Sequence, residues 1–201
     1  MEKFLLDNAA DFNFSFISFM AHTGTALIDP YKIFEKISLS AGKRVADLGC
    51  GRTGHFVFPA VKIVGDTGVV YAVDVVKNIL ESIKSLARSG GFDNIQTVWS
   101  DIELPGKTPI PTGSLDVCFC VNVLFQLKNK PGALQEAARM LKKGGYLVAV
   151  DWAKKLGMLG PDEKSILKPS DLVQMAVVEN FKLVDTITPG EYHYSLIFEK
   201  I

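Results

Sequence analysis

The sequence predicts an α/β fold: a doubly wound, mostly parallel sheet with an antiparallel hairpin at its C-terminal end. Three observations predict it. Short apolar runs alternate with amphipathic, cap-bounded segments between residues 43 and 150. The run 115–121 is almost unbroken apolar, as suits a parallel strand covered on both faces. Finally, the segments 181–188 and 192–199 flank Pro189-Gly190, which reads as a β-hairpin.

The elements follow in order. Residues 1–28 hold Phe12, Phe14, Phe16 and Phe19 beside Ile17 and Met20, a spacing that fits a helix face or a strand face. This stretch reads as an arm packing on the domain, a cover over an apolar substrate or a dimer contact. Asp29-Pro30 reads as an N-cap with proline at the first helical position, and Tyr31, Phe34 and Ile37 form the buried stripe of a helix ending near Ser40. The first strand is expected at 43–47 and its helix at about 54–64. Gly65 to Gly68 turn into a strand at 69–74, and a helix from Lys77 to Ser89 stops at Gly90-Gly91. A third strand is expected at 95–99 and a proline-rich loop at 105–113. After the fourth strand, Pro131 opens a helix through Leu141, and the fifth strand runs from Tyr146 to Val150. Ser170-Asp171 cap a last helix to about Asn180. The domains are thus 1–40, an arm and helix packed on the core, and 41–201, a single domain.

Composition bounds the function. With 201 residues, 48% hydrophobic and 22% charged, the chain suits one domain with a full core. Zero net charge argues against a nucleic-acid partner. Three cysteines with no disulfide-type framework point to a reducing cytoplasm, and three histidines show no metal-ligand spacing. No apolar run reaches spanning length, and the first residues lack a secretory-signal pattern. A homodimer stays open.

The most informative stretch is Val45-Ala46-Asp47-Leu48-Gly49-Cys50-Gly51-Arg52-Thr53-Gly54. A strand stops at a carboxylate and breaks into a glycine turn, and a second strand, 69–74, ends at Asp74. Literally this is GxGxxG, a weak dinucleotide signal by itself. Asp47 discriminates: a carboxylate beside the turn repels a pyrophosphate and suits a cationic ligand. S-adenosylmethionine carries an ammonium, a sulfonium and ribose hydroxyls.

On Asp47-Leu48-Gly49-Cys50-Gly51 the chain resembles the class I S-adenosylmethionine-dependent methyltransferases. Trp99-Ser100-Asp101-Ile102, Leu115 to Leu124 and Leu141 to Val148 match later motifs of that family in order. The pattern is most similar to the ubiquinone/menaquinone C-methyltransferase-like small-molecule group. The resemblance implies a Rossmann-like, seven-stranded sheet of order 3-2-1-4-5-7-6, S-adenosylmethionine as cofactor and a small-molecule methyl acceptor, apolar or aromatic. It implies that Asp47 orients the methionine ammonium, while Gly49, Cys50 and Gly51 line the methionine. Asp74 would accept from the ribose hydroxyls, with Val75 against the adenine. Asp101 and Ile102 would meet the adenine edge and face, and Asn122 the methionine end. The plain alternative for each acid is a solvated strand-end charge.

Catalytic candidates are Asp151 at the end of the fifth strand and Tyr192-His193 in the hairpin. His193 reads either as a general base or, more simply, as a strand histidine packed between tyrosines. His55 reads as a pocket residue or a polar helix start. Cys118 and Cys120 read as core fillers, and Cys50 as a loop thiol open to exposure. Asn122-Val123-Leu124-Phe125 lacks the proline motif of nucleobase-amine methyltransferases and the Pro-Cys of pyrimidine-carbon enzymes. Asn122 stands where fibrillarin-like enzymes place an aspartate, and the extra cysteines of arsenite methyltransferases are missing. A nicotinamide oxidoreductase is disfavoured by Asp47 and by the lack of a Tyr-x-x-x-Lys pair. A non-catalytic cofactor-binding domain remains the third reading.

Overall fold

The computed structural model describes residues 27–158 and 160–201; the phenylalanine-rich stretch Phe12 to Met20 lies outside the described residues. Twelve principal elements follow one another: α1 Pro30–Lys36, β1 Arg44–Leu48, α2 Val57–Val64, β2 Val69–Asp74, α3 Lys77–Gly90, β3 Ile95–Trp99, β4 Leu115–Val121, α4 Lys130–Met140, β5 Leu141–Trp152, α5 Pro169–Val178, β6 Phe181–Gly190 and β7 His193–Lys200. Short helical turns stand at Leu124–Gln126 and Glu163–Ser165.

The sheet has the predicted order β3-β2-β1-β4-β5-β7-β6, with β7 antiparallel to both neighbours. Strand order reverses between β1 and β4, so their carboxyl ends open the crevice where ligands enter such sheets. One face is covered by α1, α2 and α3, whose Ile33, Phe34, Val57, Val61 and Ile83 pack with Val45, Val70, Phe119, Val148 and Ile197. The other carries α4 and α5, whose Leu134, Met140, Leu172 and Ala176 pack with Ala46, Val73, Cys118, Leu147 and Phe198. Each fully buried large side chain contributes about 1.5–3 kcal/mol. Phe34, Phe56 and Phe119 meet with ring centroids 5.4 to 5.6 Å apart, tying α1 to the sheet.

The rim at the amino ends of the parallel strands is fastened by Asp116. Its carboxylate accepts from the Arg44 backbone N–H at 2.9 Å and pairs with Lys142 at 3.0 Å and Lys43 at 3.4 Å. A cavity of about 500 Å³ lined by Lys43, Asp116, Lys142 and Tyr146 opens on this rim, away from the glycine turn.

Four boundaries differ from expectation. α1 ends at Lys36 rather than near Ser40, because the chain reverses at Ser38 with φ 51°. α2 begins at Val57, since residues 51–56 are spent on turns. α4 stops at Met140, and β5 starts at Leu141 instead of Tyr146. The ladder pairs Leu115 with Leu141 and then Val117 with Tyr146, so the expected glycine turn is a wide bulge inside a longer strand. Pro189 and Gly190 end β6, and the reversal falls on Glu191 and Tyr192. A register shift between Ile187 and Gly190 on this edge strand accommodates the proline.

Candidate active site

β1 delivers Asp47 to the crevice, one residue before the strand ends. The chain then turns back on β2: the N–H groups of Gly49 and Cys50 donate to the Val73 carbonyl at 2.9 and 3.0 Å. Gly49, at φ 82°, has no room for a side chain, since a Cβ there would lie 2.7 Å from Val123. Gly51, at φ 63°, faces nothing within 4 Å. The turn is therefore crowded beneath and open above.

Two carboxylates flank it. Asp74 accepts from the Gly51 N–H at 3.3 Å and the Val76 N–H at 2.9 Å. Asp47 is 3% exposed, and its Oδ1 has no hydrogen-bond partner. Burial, reinforced by the charge of Asp74, pushes its carboxyl up to about 7. Such a carboxylate fits a cation: one would satisfy the orphaned oxygen and restore the ordinary acidity.

The remaining predicted cofactor residues extend the cleft on both sides. Val75 is exposed, and its carbonyl accepts from the Trp99 indole N–H at 2.8 Å. The exposed Trp99 ring lies under Lys77, with Nζ 5.2 Å from its centroid. Ser100 N–H donates to the Asp74 carbonyl at 3.2 Å, bringing the turn after β3 alongside; there Asp101 accepts from the Glu103 N–H at 2.9 Å and Ile102 is buried. On the other side Asn122 follows β4 in a left-handed conformation, φ 52°, with a buried and unpartnered Oδ1.

The catalytic candidates lie farther along the rim. Asp151 faces the α4 and α5 layer, and both its oxygens are engaged, Oδ2 by the Phe125 N–H at 3.0 Å and Oδ1 by the Trp152 N–H at 2.9 Å. Burial still pushes its carboxyl up to about 7. Tyr192 sits in the hairpin turn with Lys154 Nζ 4.7 Å from its ring centroid. His193 is buried against Trp152, ring centroids 4.4 Å apart, and desolvation pushes its pKa down to about 4. His55, two residues before α2, has its Nε2 2.7 Å from the Ile28 carbonyl. Cys50 is buried, not exposed: burial and then the charges of Asp47 and Asp74 raise its thiol pKa, leaving it protonated. Cys118 and Cys120 are buried in the core as expected.

Sequence reasoning missed three features. The Trp99–Lys77 contact was hidden because the Trp99 to Ile102 motif implied roles only for Asp101 and Ile102. Glu136 and Arg139, three apart on α4, organise the 105–113 loop through bonds to Gly106, Thr108 and Ile110, a pairing visible only as an i,i+3 spacing. Ser195 is fully buried on β7; the signal was a serine beside the apolar run Leu196-Ile197-Phe198.

The sheet order, the acid before a glycine turn and the second acid at the end of β2 define a class I S-adenosylmethionine-dependent methyltransferase. Residues 39–194 match the methyltransferase-domain family, and the chain belongs to it. Aklanonic acid methyltransferase of Streptomyces sp. (strain C5) is 31% identical over 160 residues, which cover 79% of this chain and 68% of the relative. The ubiquinone/menaquinone biosynthesis C-methyltransferase of Pseudomonas putida is 33% identical over 164 residues, 80% of this chain but 59% of the relative's length. A crystal structure of an S-adenosylmethionine-dependent methyltransferase from Aquifex aeolicus superposes with TM-score 0.79 at 23% identity, covering 87% of this chain and 91% of that one. Among the described residues no group of three or more His, Cys, Asp or Glu is arranged to hold a metal, and no helix is long and apolar enough to cross a membrane.

Proposed function

We propose that this chain methylates a small, largely apolar or aromatic acceptor. The observation that carries the reading is the buried, unpartnered carboxylate of Asp47 beside an open glycine turn. When bound, S-adenosylmethionine supplies an electrophilic methyl on a sulfonium that leaves as a neutral thioether. Asp47 would hold the methionine ammonium, and the backbone of Gly49, Cys50 and Gly51 would line the same end with Asn122. Asp74 would accept from the ribose hydroxyls. Val75, Asp101 and Ile102 would enclose the adenine, with the exposed Trp99 as a further wall.

Because the leaving group is neutral, catalysis needs chiefly an acceptor held on axis. A strong base is not required, and this reading assigns that role to none of the candidates. Asp151 spends its carboxylate on two backbone N–H groups, so we assign it the positioning of the turn after β4. Tyr192 is a turn residue covered by Lys154. An apolar acceptor is favoured by the side chains at the carboxyl ends of β4 and β5: Val121, Val123 and Trp152. The names of the two curated relatives, one acting on aklanonic acid and one in ubiquinone/menaquinone biosynthesis, agree with it. Three free, buried cysteines suit a reducing compartment.

The experiment is thermal stabilisation by S-adenosylmethionine, S-adenosylhomocysteine and NAD(P) in parallel. A ligand at a hundred times its dissociation constant adds about 2.7 kcal/mol. Stabilisation by the first two and not by NAD(P) is expected; the reverse pattern refutes the reading.

A further inference from the structure

Five buried side-chain N and O atoms among the described residues have no hydrogen-bond partner. Two belong to Asp47 and Asn122, beside the glycine turn. The other three are both ring nitrogens of His193 and the hydroxyl of Ser195. These residues are 1% and 0% exposed, and they stand two apart on β7, so they share a face.

That face is the one carrying Asp47. Asp47 pairs with Phe119, Phe119 with Val148, and Val148 with Ile197, so Ile197, Ser195 and His193 climb from the level of Asp47 toward the open rim. Val150 lies opposite Ser195, and the Trp152 ring lies opposite His193. Gly190 pairs with His193 from the other side, and a Cβ on it would lie 2.1 Å from the Leu27 carbonyl oxygen. The next carbonyl, of Ile28, meets His55 beside the glycine turn. The backbone at Leu27 and Ile28 thus bridges the hairpin and the cofactor loop on this face.

Buried polar groups are ordinarily paired, and an apolar side chain of similar shape would fill the position without loss. Two adjacent exceptions on one face, beyond an otherwise apolar approach, are a recognition feature. The burial that lowers the His193 pKa to about 4 keeps its ring neutral near physiological pH, with one N–H donor and one lone pair. A neutral ring and a hydroxyl match an uncharged oxygen function; they offer no cation to a carboxylate or phosphate. Same-face neighbours on a strand lie about 7 Å apart, close enough for one bound oxygen, or two on one ring, to reach both.

We propose that His193 and Ser195 form the polar end of the acceptor subsite, binding an uncharged hydroxyl or carbonyl oxygen on an otherwise apolar acceptor. This rests on the methyltransferase reading. The two residues hold and orient the acceptor oxygen; proton removal by His193 is not required.

The test uses the full chain saturated with S-adenosylhomocysteine and three probes of one shape: 2-naphthol, naphthalene and 2-naphthoate. Calorimetry or ligand-observed NMR measures binding. Expected is binding of 2-naphthol at least about tenfold tighter than of either other probe, since one lost buried hydrogen bond is worth about a decade. His193→Phe combined with Ser195→Ala should erase the difference between naphthol and naphthalene while S-adenosylhomocysteine binds as before. Ser195→Ala alone should reduce it. Neither variant should melt lower than the wild type, because each removes an unpaired buried polar group. The ring nitrogens of His193, followed by 15N NMR, should shift with naphthol and not with naphthalene. Equal binding of naphthol and naphthalene to the wild type, no naphthol binding, or discrimination surviving the double substitution would overturn the assignment. Loss of S-adenosylhomocysteine binding in the wild type would instead refute the methyltransferase reading, and it is measured separately.

Discussion

Glu136 and Asp47 are both buried carboxylates, 0% and 3% exposed, and the fold treats them oppositely. Burial raises the pKa of each, but Glu136 is answered. Arg139 forks onto both its oxygens at 2.8 and 2.9 Å, and the N–H groups of Gly106 and Thr108 donate at 2.6 and 2.8 Å. The result holds Glu136 down at about 2. Asp47 has Asp74 as its charged neighbour, an unpartnered oxygen, and a pKa near 7. One carboxylate is complete within the protein and organises a loop. The other is left incomplete within the protein, as the proposed binding of a cationic cofactor end requires.

The largest expected effect lies on the complete side. Glu136→Ala leaves the Arg139 guanidinium without its partner and frees the 105–113 loop, and stability in urea should fall by about 3–5 kcal/mol. On the incomplete side, Asp47→Asn should weaken S-adenosylmethionine binding ten- to a hundredfold in calorimetry, about the value of a charged hydrogen bond. The same variant should unfold no more easily than the wild type at pH 8. A loss of stability matching that of Glu136→Ala would erase the distinction.

The pH dependence sharpens it further. Asp47 must ionise to meet a cation, so cofactor affinity should rise by about tenfold per pH unit up to 7 and level off by pH 8. For stability, the folded state holds the Asp47 proton more tightly than the unfolded state does. The advantage of Asp47→Asn over wild type should therefore grow from about pH 4 to pH 7 and be constant above. Glu136 behaves inversely: its contribution is present above its unfolded pKa, near 4.5, and is lost as pH falls toward 2. Thermal melts of the variants across this range check both signs. The smallest effect is expected at Gly51→Ala. It places a Cβ in open space at φ 63°, so it should cost about 1 kcal/mol of stability while obstructing the cofactor.

The fold was legible because alternation, caps and the unbroken β4 run all report burial, and the terminal hairpin reports the antiparallel edge. Boundaries were less legible where the backbone departs from regularity. Nothing in Lys142-Lys143-Gly144-Gly145 distinguishes a turn before a strand from a bulge within one, and Pro189 reads as a breaker although an edge strand tolerates it. At the site, Asp47 was legible since a carboxylate beside a glycine turn has an electrostatic meaning in sequence alone. Cys50 was read as open to exposure because loop position does not report that the turn folds back onto β2. Ser195 and the role of the Glu136–Arg139 fork were hidden because pairing with a loop about thirty residues away, or the absence of any partner, exists only after folding.

Asp116, bolting three strands together at the far rim, has an engineering consequence. Rigidity is invested where no chemistry is expected, so the frame does not depend on the identity of the residues that crown β4, β5 and β7. Exchanging Trp152, His193 or Ser195 should redirect the enzyme toward new acceptors without retuning the scaffold that carries them.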